Sequence, residues 1–257
     1  MSRLRAWLDA SPVADLAITF MREATGRADP VEPLRPTRPA ALADGRRVAF
    51  WSLVGGVGTS TVAGLVAHRS AAGGRAPLLI DLDRWAPSLA LRARLEAATI
   101  ADVLVKPVRE SALVSRWSAV PFLPGSPALR GRLDVDRTVE VIDAIGGGAP
   151  VVLDLGAGAD SLDAGLLSRI DRLCVVAGAR ASQLQAVFCA LPLVRDAPCP
   201  AGLVVVGAAD EDAALIAERA ALPLLGAIPT DRYLADDQFA TRAPTLRAID
   251  ALIRRIS

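Results

Sequence analysis

The stretch from Val48 to Ala63 constrains this chain more than any other. An apolar run, Val48-Ala49-Phe50-Trp51-Ser52-Leu53, runs into Val54-Gly55-Gly56-Val57-Gly58, and Thr59-Ser60-Thr61 then opens a segment with helical spacing. A strand, a glycine turn and a helix N-terminus in that order predict the first unit of an α/β fold. Closely spaced glycines let the backbone approach a ligand and aim successive N–H groups at it. The helix dipole adds partial positive charge, so the loop suits a phosphate.

The alternation continues downstream. Apolar runs at 76–83, 119–123, 150–155, 172–177, 202–206 and 224–229 read as strands. Helical spacing appears at about 88–97, 100–105, 109–116, 136–146, 182–194 and 210–221, and again from about Pro244. Seven strands mostly alternating with helices predict a doubly wound, mostly parallel sheet covered by helices on both faces. The chain is 52% hydrophobic but only 4% aromatic, so Ala, Val and Leu must fill the space between helices and sheet. Asp81 and Asp83 stand two apart at the end of the second strand. As strand residues they would share a face at the carboxyl edge, where open α/β sheets bind ligands. Asp154 ends another apolar run in the same way.

At the glycine loop the chain resembles the ParA/MinD family of P-loop ATPases, whose deviant phosphate loop reads Lys-Gly-Gly-x-Gly-Lys-[Ser/Thr]-Thr. Gly55, Gly56, Gly58, Ser60 and Thr61 match it. The two family lysine positions hold Val54 and Thr59. Lys106 is the single lysine among 29 basic residues, but Val and Thr are not arginine, so the change is more than a drift from Lys to Arg. The resemblance extends over about residues 47 to 256. Asp81-Leu82-Asp83 is similar to the family's Asp-x-Asp motif and Pro87-Ser88-Leu89 to its continuation. Asp154-Leu155-Gly156-Ala157-Gly158 is similar to the Asp-x-Gly-Ala-Gly of flagellar-number and pilus-localising relatives. Leu225-Gly226-Ala227-Ile228-Pro229-Thr230-Asp231 is similar to the segment lining the adenine pocket. The family usually ends the strand before that segment with an Asn that reads adenine, where this chain has Val206-Gly207-Ala208.

The resemblance implies ATP or ADP with Mg²⁺, bound by Gly55, Gly56, Val57, Gly58, Thr59, Ser60, Thr61, Pro229, Thr230 and Asp231. Ser60 would help hold the hydrated ion, with Asp81 and Asp154 acting through its waters, and Asp83 is the candidate catalytic residue. Without the two lysines, positive charge is missing where negative charge develops, so weak nucleotide binding and negligible turnover are expected. Arg75, Arg84 and Arg180 are the candidate replacements. The function implied is a pseudo-ATPase or weak ATPase that dimerises and acts as a positional or assembly factor for a pilus, flagellum or secretion apparatus. The receiver-like domain of many pilus relatives does not fit into the 46 residues before the first strand.

Two alternatives remain at this point. A chromosome or plasmid partition ATPase needs switched DNA binding, which a net charge of +1 does not favour. A Rossmann-type NAD enzyme would have an acidic residue beyond its glycine loop, but Thr61 stands where that fingerprint needs Gly or Ala. His68, the one histidine, reads as helix surface rather than a catalytic base. Residues 1–28 read as two amphipathic helices, with Leu4, Trp7 and Leu8 and then Val13, Leu16, Phe20 and Met21 on apolar faces. They suit packing on the chain's own core, a membrane surface or a partner. Residues 29–46 read as a proline-rich linker and 47–257 as the P-loop domain. Cys174, Cys189 and Cys199 lack metal spacing and suit free thiols in a reducing compartment. The expectation is a cytoplasmic protein recruited to the inner membrane face or the cell pole.

Overall fold

The computed structural model describes residues 38–105, 114–130, 133–231, 234 and 241–257. The two N-terminal helices read over 1–28, and the first half of the 29–46 linker, lie outside the described residues. Eight strands form one sheet: β1 (Arg47–Ser52), β2 (Leu78–Asp81), β3 (Ser115–Trp117), β4 (Val120–Leu123), β5 (Val151–Ala157), β6 (Arg172–Gly178), β7 (Ala201–Val206) and β8 (Leu224–Ile228). Their spatial order is β3-β4-β2-β5-β1-β6-β7-β8, and every pairing except β3–β4 is parallel. The glycine-loop strand β1 thus lies inside the sheet, between β5 and β6. In dinucleotide-binding folds the first two strands pair. Here β5 separates β1 from β2, so the sheet is not that of the Rossmann alternative.

Among the described residues eight α-helices surround the sheet. These are α1 (Thr59–Ala72), α2 (Leu89–Ala93), α3 (Ile100–Leu104), α4 (Val135–Gly146), α5 (Ala164–Leu167), α6 (Ala181–Arg195), α7 (Asp210–Ala220) and α8 (Ala243–Ile256). Strand alternation sends side chains to two cores. Val48, Phe50, Leu79, Val152, Cys174 and Val204 pack under α1 and α8 with Val62, Val66, Ile249 and Ile253. Ala49, Trp51, Ile80, Leu153, Val175 and Val205 pack on the opposite face with Ile100, Val141, Leu184, Val187 and Ile216. Small side chains let the helices lie close to the sheet, and both layers of the doubly wound expectation are present.

Among the described residues the strand count is corrected from seven to eight. Helical spacing suggested a helix over 109–116, yet Ser115–Trp117 turns back at Ser118 (φ 54°) and pairs antiparallel with β4. An edge strand with one neighbour and a short span carries little periodicity, and residues 106–113 lie outside the described residues. The helix read over 88–97 also stops early. Arg94 adopts the left-handed conformation (φ 52°) and its N–H bonds back to Leu91 O, which ends α2.

The described start of the chain is not a free linker. Leu42 is buried and donates its N–H to Ser70 Oγ, while Ala40 donates to Asp250 Oδ1. A Cβ on Gly73 would sit 2.6 Å from Ala40 O, so glycine allows the segment to cross the end of α1. All three cysteines are free, with Cys174 and Cys199 buried. Among the described residues no helix is long and apolar enough to cross a membrane.

Candidate functional site

The carboxyl ends of β1, β2 and β5 meet at the N-terminus of α1. Gly56 (φ 76°) and Gly58 (φ 98°) adopt left-handed backbone that side chains resist, which explains glycine at these two positions. Gly58 is the N-cap of α1, and its carbonyl accepts the first helical bond from Val62 N–H at 2.9 Å. No atom lies within 4 Å of a Cβ built on Gly55 or Gly56, so the loop's outer side is open.

Beneath the loop the packing is closed. Val57 and Thr59 are buried. Thr59 Oγ1 donates to Ser52 Oγ at 2.9 Å, and Ser52 Oγ donates to Val54 O at 2.9 Å. The side chain at the second family lysine position is therefore turned under the loop, tying the end of β1 to the first turn of α1. At the other lysine position Val54 is exposed and places an apolar side chain at the loop's rim.

Asp81 and Asp154 are partner positions in the β2–β5 register, and both are fully buried. On the α1 side of the sheet they face the helix that begins at Thr59. Asp81 Oδ1 accepts the Asp83 N–H at 3.0 Å and Oδ2 accepts the Leu89 N–H at 3.3 Å. Asp154 Oδ1 accepts the Gly156 N–H at 3.0 Å, whereas Oδ2 is buried with no hydrogen-bond partner. Burial pushes the Asp154 carboxyl up to about 6, against the Ser60 hydroxyl and the Gly156 N–H, which favour its charged form. Asp81 is also raised well above its ordinary value, by burial first and then by the charge of Asp154.

The expectation that Asp81 and Asp83 share a strand face is corrected. The strand ends at Asp81, and Asp83 lies in the following turn, where Oδ1 accepts Trp85 N–H at 2.9 Å and Ala86 N–H at 3.0 Å. A bulge opposite β1 brings Gly156 (φ 66°) against this turn, and a Cβ there would fall 2.3 Å from Asp83 Cγ. Asp160 closes the same corner: Trp85 Nε1 donates to its Oδ2 at 2.9 Å, and Arg84 pairs with it at 3.3 Å. Trp51 fixes the loop after β5 from below by donating to Gly158 O at 2.8 Å.

Pro229, Thr230 and Asp231 follow β8. Val206 Cγ1 lies 3.9 Å from the Cβ that Gly58 lacks, and Thr230 Oγ1 lies 3.4 Å from the one that Gly207 lacks, so the end of β7 lies between this segment and the glycine loop. Asp231 is engaged with α8: its Oδ2 accepts Arg242 N–H at 2.8 Å and Thr245 Oγ1 at 2.9 Å.

The candidate arginines behave differently from Arg92, which sequence reasoning missed. Arg75 pairs with Asp44, Arg84 with Asp160, and the exposed Arg180 begins α6. Arg92, on α2, donates from Nη1 to Thr61 Oγ1 at 2.5 Å, and its charge favours ionised Asp154. Nothing in the spacing of α2 reveals that its second turn meets the first turn of α1.

The donor set suits a phosphate with a hydrated divalent ion. The open glycine loop supplies N–H groups, Ser60 supplies a hydroxyl, and the unpartnered Asp154 Oδ2 supplies an acceptor for an ion's water. Among the described residues no group of three His, Cys, Asp or Glu side chains forms a metal cage.

No protein-family model matches the chain, and no curated protein matches it by sequence. Solved structures do match. A ParA family ATPase from Chlorobium tepidum superposes with a TM-score of 0.67 at 18% identity, over 81% of this chain and 99% of that one. The MinD cell division protein of Aquifex aeolicus superposes with a TM-score of 0.65 at 22% identity, over 81% and 96%. MinD of Pyrococcus horikoshii gives 0.62 at 18% identity, over 82% and 96%. With a central glycine-loop strand, paired aspartates on β2 and β5 and helices on both faces, this chain has the fold of the ParA/MinD family of P-loop ATPases.

Proposed function

We propose that the chain is a nucleotide-binding positional or assembly factor of the ParA/MinD kind, which binds ADP or ATP with Mg²⁺ and turns it over weakly or not at all. The observation that carries this is the glycine loop itself, open on its outer side and tied from below by Thr59 and Ser52. Backbone N–H groups from Gly55 to Ser60 would receive the phosphates, with Thr61 in the same turn. Ser60, Asp81 and Asp154 would hold the hydrated ion, whose charge would offset that of the phosphates, and Asp83 would orient a water. Pro229, Thr230 and Asp231 would border the base. The MinD of Pyrococcus horikoshii is a complex with Mg-ADP, and the Aquifex aeolicus MinC:MinD structure is a protein complex. Both support a nucleotide and a protein partner here.

Weak turnover follows from charge. Losing one preorganised donor to developing negative charge costs about 2.7–4 kcal/mol, and both lysine positions lack a cation. A site that binds without turnover can still shift a monomer–dimer equilibrium through differential affinity. The expected cellular role is therefore a cytoplasmic homodimer recruiting the machinery of a pilus, flagellum or secretion apparatus, with residues 1–28 available for a membrane surface. The test follows phosphate release from ATP and molar mass by light scattering on the same sample. Nucleotide-dependent dimerisation without appreciable phosphate release supports the reading, and sustained release at the rate of an intact relative overturns it.

A further inference from the structure

We propose that Trp85 is a positioning residue of this site: from the turn after β2 its indole holds the loop after β5, so that this side of the site is formed before nucleotide arrives. The inference rests on the nucleotide-binding reading above. It adds a residue that falls between two motifs read from the sequence, Asp81-Leu82-Asp83 and Pro87-Ser88-Leu89.

The loop after β5 is fixed at two points. The inner one is Gly158, whose N–H donates to Ser52 O at 3.0 Å and whose carbonyl accepts Trp51 Nε1 at 2.8 Å, both at the end of β1. Ser52 also ties the glycine loop through Val54 and Thr59, so one residue anchors both loops. The outer point is Asp160, whose Oδ2 accepts Trp85 Nε1 at 2.9 Å and pairs with Arg84 at 3.3 Å. A Cβ on Gly158 would lie 2.9 Å from Asp160 Oδ1, so glycine there lets the carboxylate lie against the loop.

Trp85 reaches Asp83 as well. Its backbone N–H donates to Asp83 Oδ1 at 2.9 Å, so one residue fixes Asp83 by its backbone and the loop after β5 by its side chain. The two attachments of the loop differ in strength. Trp51 is fully buried, whereas Trp85 is 55% exposed and its bond to Asp160 competes with water. Gly158 is therefore the pivot, and the indole of Trp85 is the latch that opens first. A ligand bound only by the closed form lowers the open population by one plus the ratio of free ligand to Kd.

The test uses full-length wild type, Trp85→Phe, Asp160→Ala, Asp160→Asn and the control Trp117→Phe, which removes an indole from β3. Calorimetry gives the Kd for Mg-ADP, and hydrogen exchange by NMR follows single amides with and without it. Ser161 N–H donates to Gly158 O and Leu162 N–H to Ala159 O, so both report the closed loop. Both should be protected in ligand-free wild type. In Trp85→Phe and Asp160→Ala they should exchange about fivefold faster while Gly158 stays slow. Asp160→Asn keeps an acceptor for the indole and should stay nearer wild type, and Trp117→Phe should match it. Free Mg-ADP at about nine times Kd should slow both amides about tenfold in wild type and in the latch variants. Ala149 N–H, bonded to Gly146 O before β5, should not respond. If Trp85→Phe unfolds, Asp160→Ala removes the same bond from the other side.

Unprotected Ser161 and Leu162 in ligand-free wild type, or unchanged exchange in both latch variants, overturns this inference alone. So does bound Mg-ADP that leaves the loop amides unslowed, because the loop is then merely packed beside the site. No binding by wild type overturns the nucleotide reading, and this inference with it.

Discussion

Asp81 and Asp154 stand opposite each other on adjoining parallel strands, both fully buried, beneath the N-terminus of the helix that follows the glycine loop. Two carboxylates in one dry site cannot both ionise cheaply, and both are shifted upward. Such an arrangement destabilises a protein unless something positive shares the site.

The pH dependence follows with a definite sign. Asp154 holds its proton up to about 6 in the folded state, against an ordinary value of 3.8. The native state therefore binds more protons than the unfolded state in that window, and stability falls as pH rises through it. Asp154→Asn should stabilise the ligand-free protein at neutral pH, the advantage fading as pH falls from about 6 and gone by about pH 4, and it should weaken the Mg²⁺ dependence of nucleotide binding. Urea unfolding across pH, with and without Mg²⁺, checks both. A variant less stable than wild type at neutral pH contradicts the expectation.

The Thr59–Ser52–Val54 chain of hydroxyl bonds fixes the loop from below. Thr59→Val removes a buried donor and should cost about 1 kcal/mol. Thr59→Lys should cost a similar amount while tightening Mg-ATP binding, since the long cation can leave the buried position for the open side. Denaturant midpoints and binding titrations on the two variants separate the structural role from the charge.

Arg69 and Asp250 join α1 to α8 through two hydrogen bonds of 2.8 and 2.7 Å, with Asp250 only 1% exposed. Burial alone would raise Asp250, but the bonds from Arg69 and Ala40 hold it below its ordinary value. Arg69→Ala should cost about 3–5 kcal/mol by leaving a buried carboxylate without its cation. Replacing both residues with apolar ones of similar volume should cost much less. Equal losses in the single and double variants contradict this.

Asp231 accepts from Arg242 N–H and Thr245 Oγ1, stabilising the start of α8. Asp231→Ala should cost about 1–2 kcal/mol. It should also loosen the segment Pro229–Asp231, so hydrogen exchange of the first turn of α8 should rise in the variant. Unchanged exchange there would argue that the contact to α8 is incidental.

Much of this fold was legible because parallel strands are short apolar runs and glycine marks the loops between layers. β1, β2, β5, β6, β7 and β8 each stand where an apolar run predicts them, and the two-sided cover follows from alternation. β3 was not legible, since a three-residue edge strand has too few positions to show a period. In the site, Gly56 and Gly58 announce the loop because their left-handed backbone resists other residues. The turn at Asp83 was misread because strand parity holds only while the strand continues. Arg92 was invisible because its contact with Thr61 depends on how α2 folds back, which no spacing along the chain encodes.

The most direct measurement of the central claim is calorimetric titration of the protein with Mg-ATP. The account predicts a saturable heat of binding, with no continuing heat once the site is filled. Steady heat from turnover would contradict it by showing a working ATPase, and no binding at millimolar nucleotide would contradict it by showing that the glycine loop is only a structural turn.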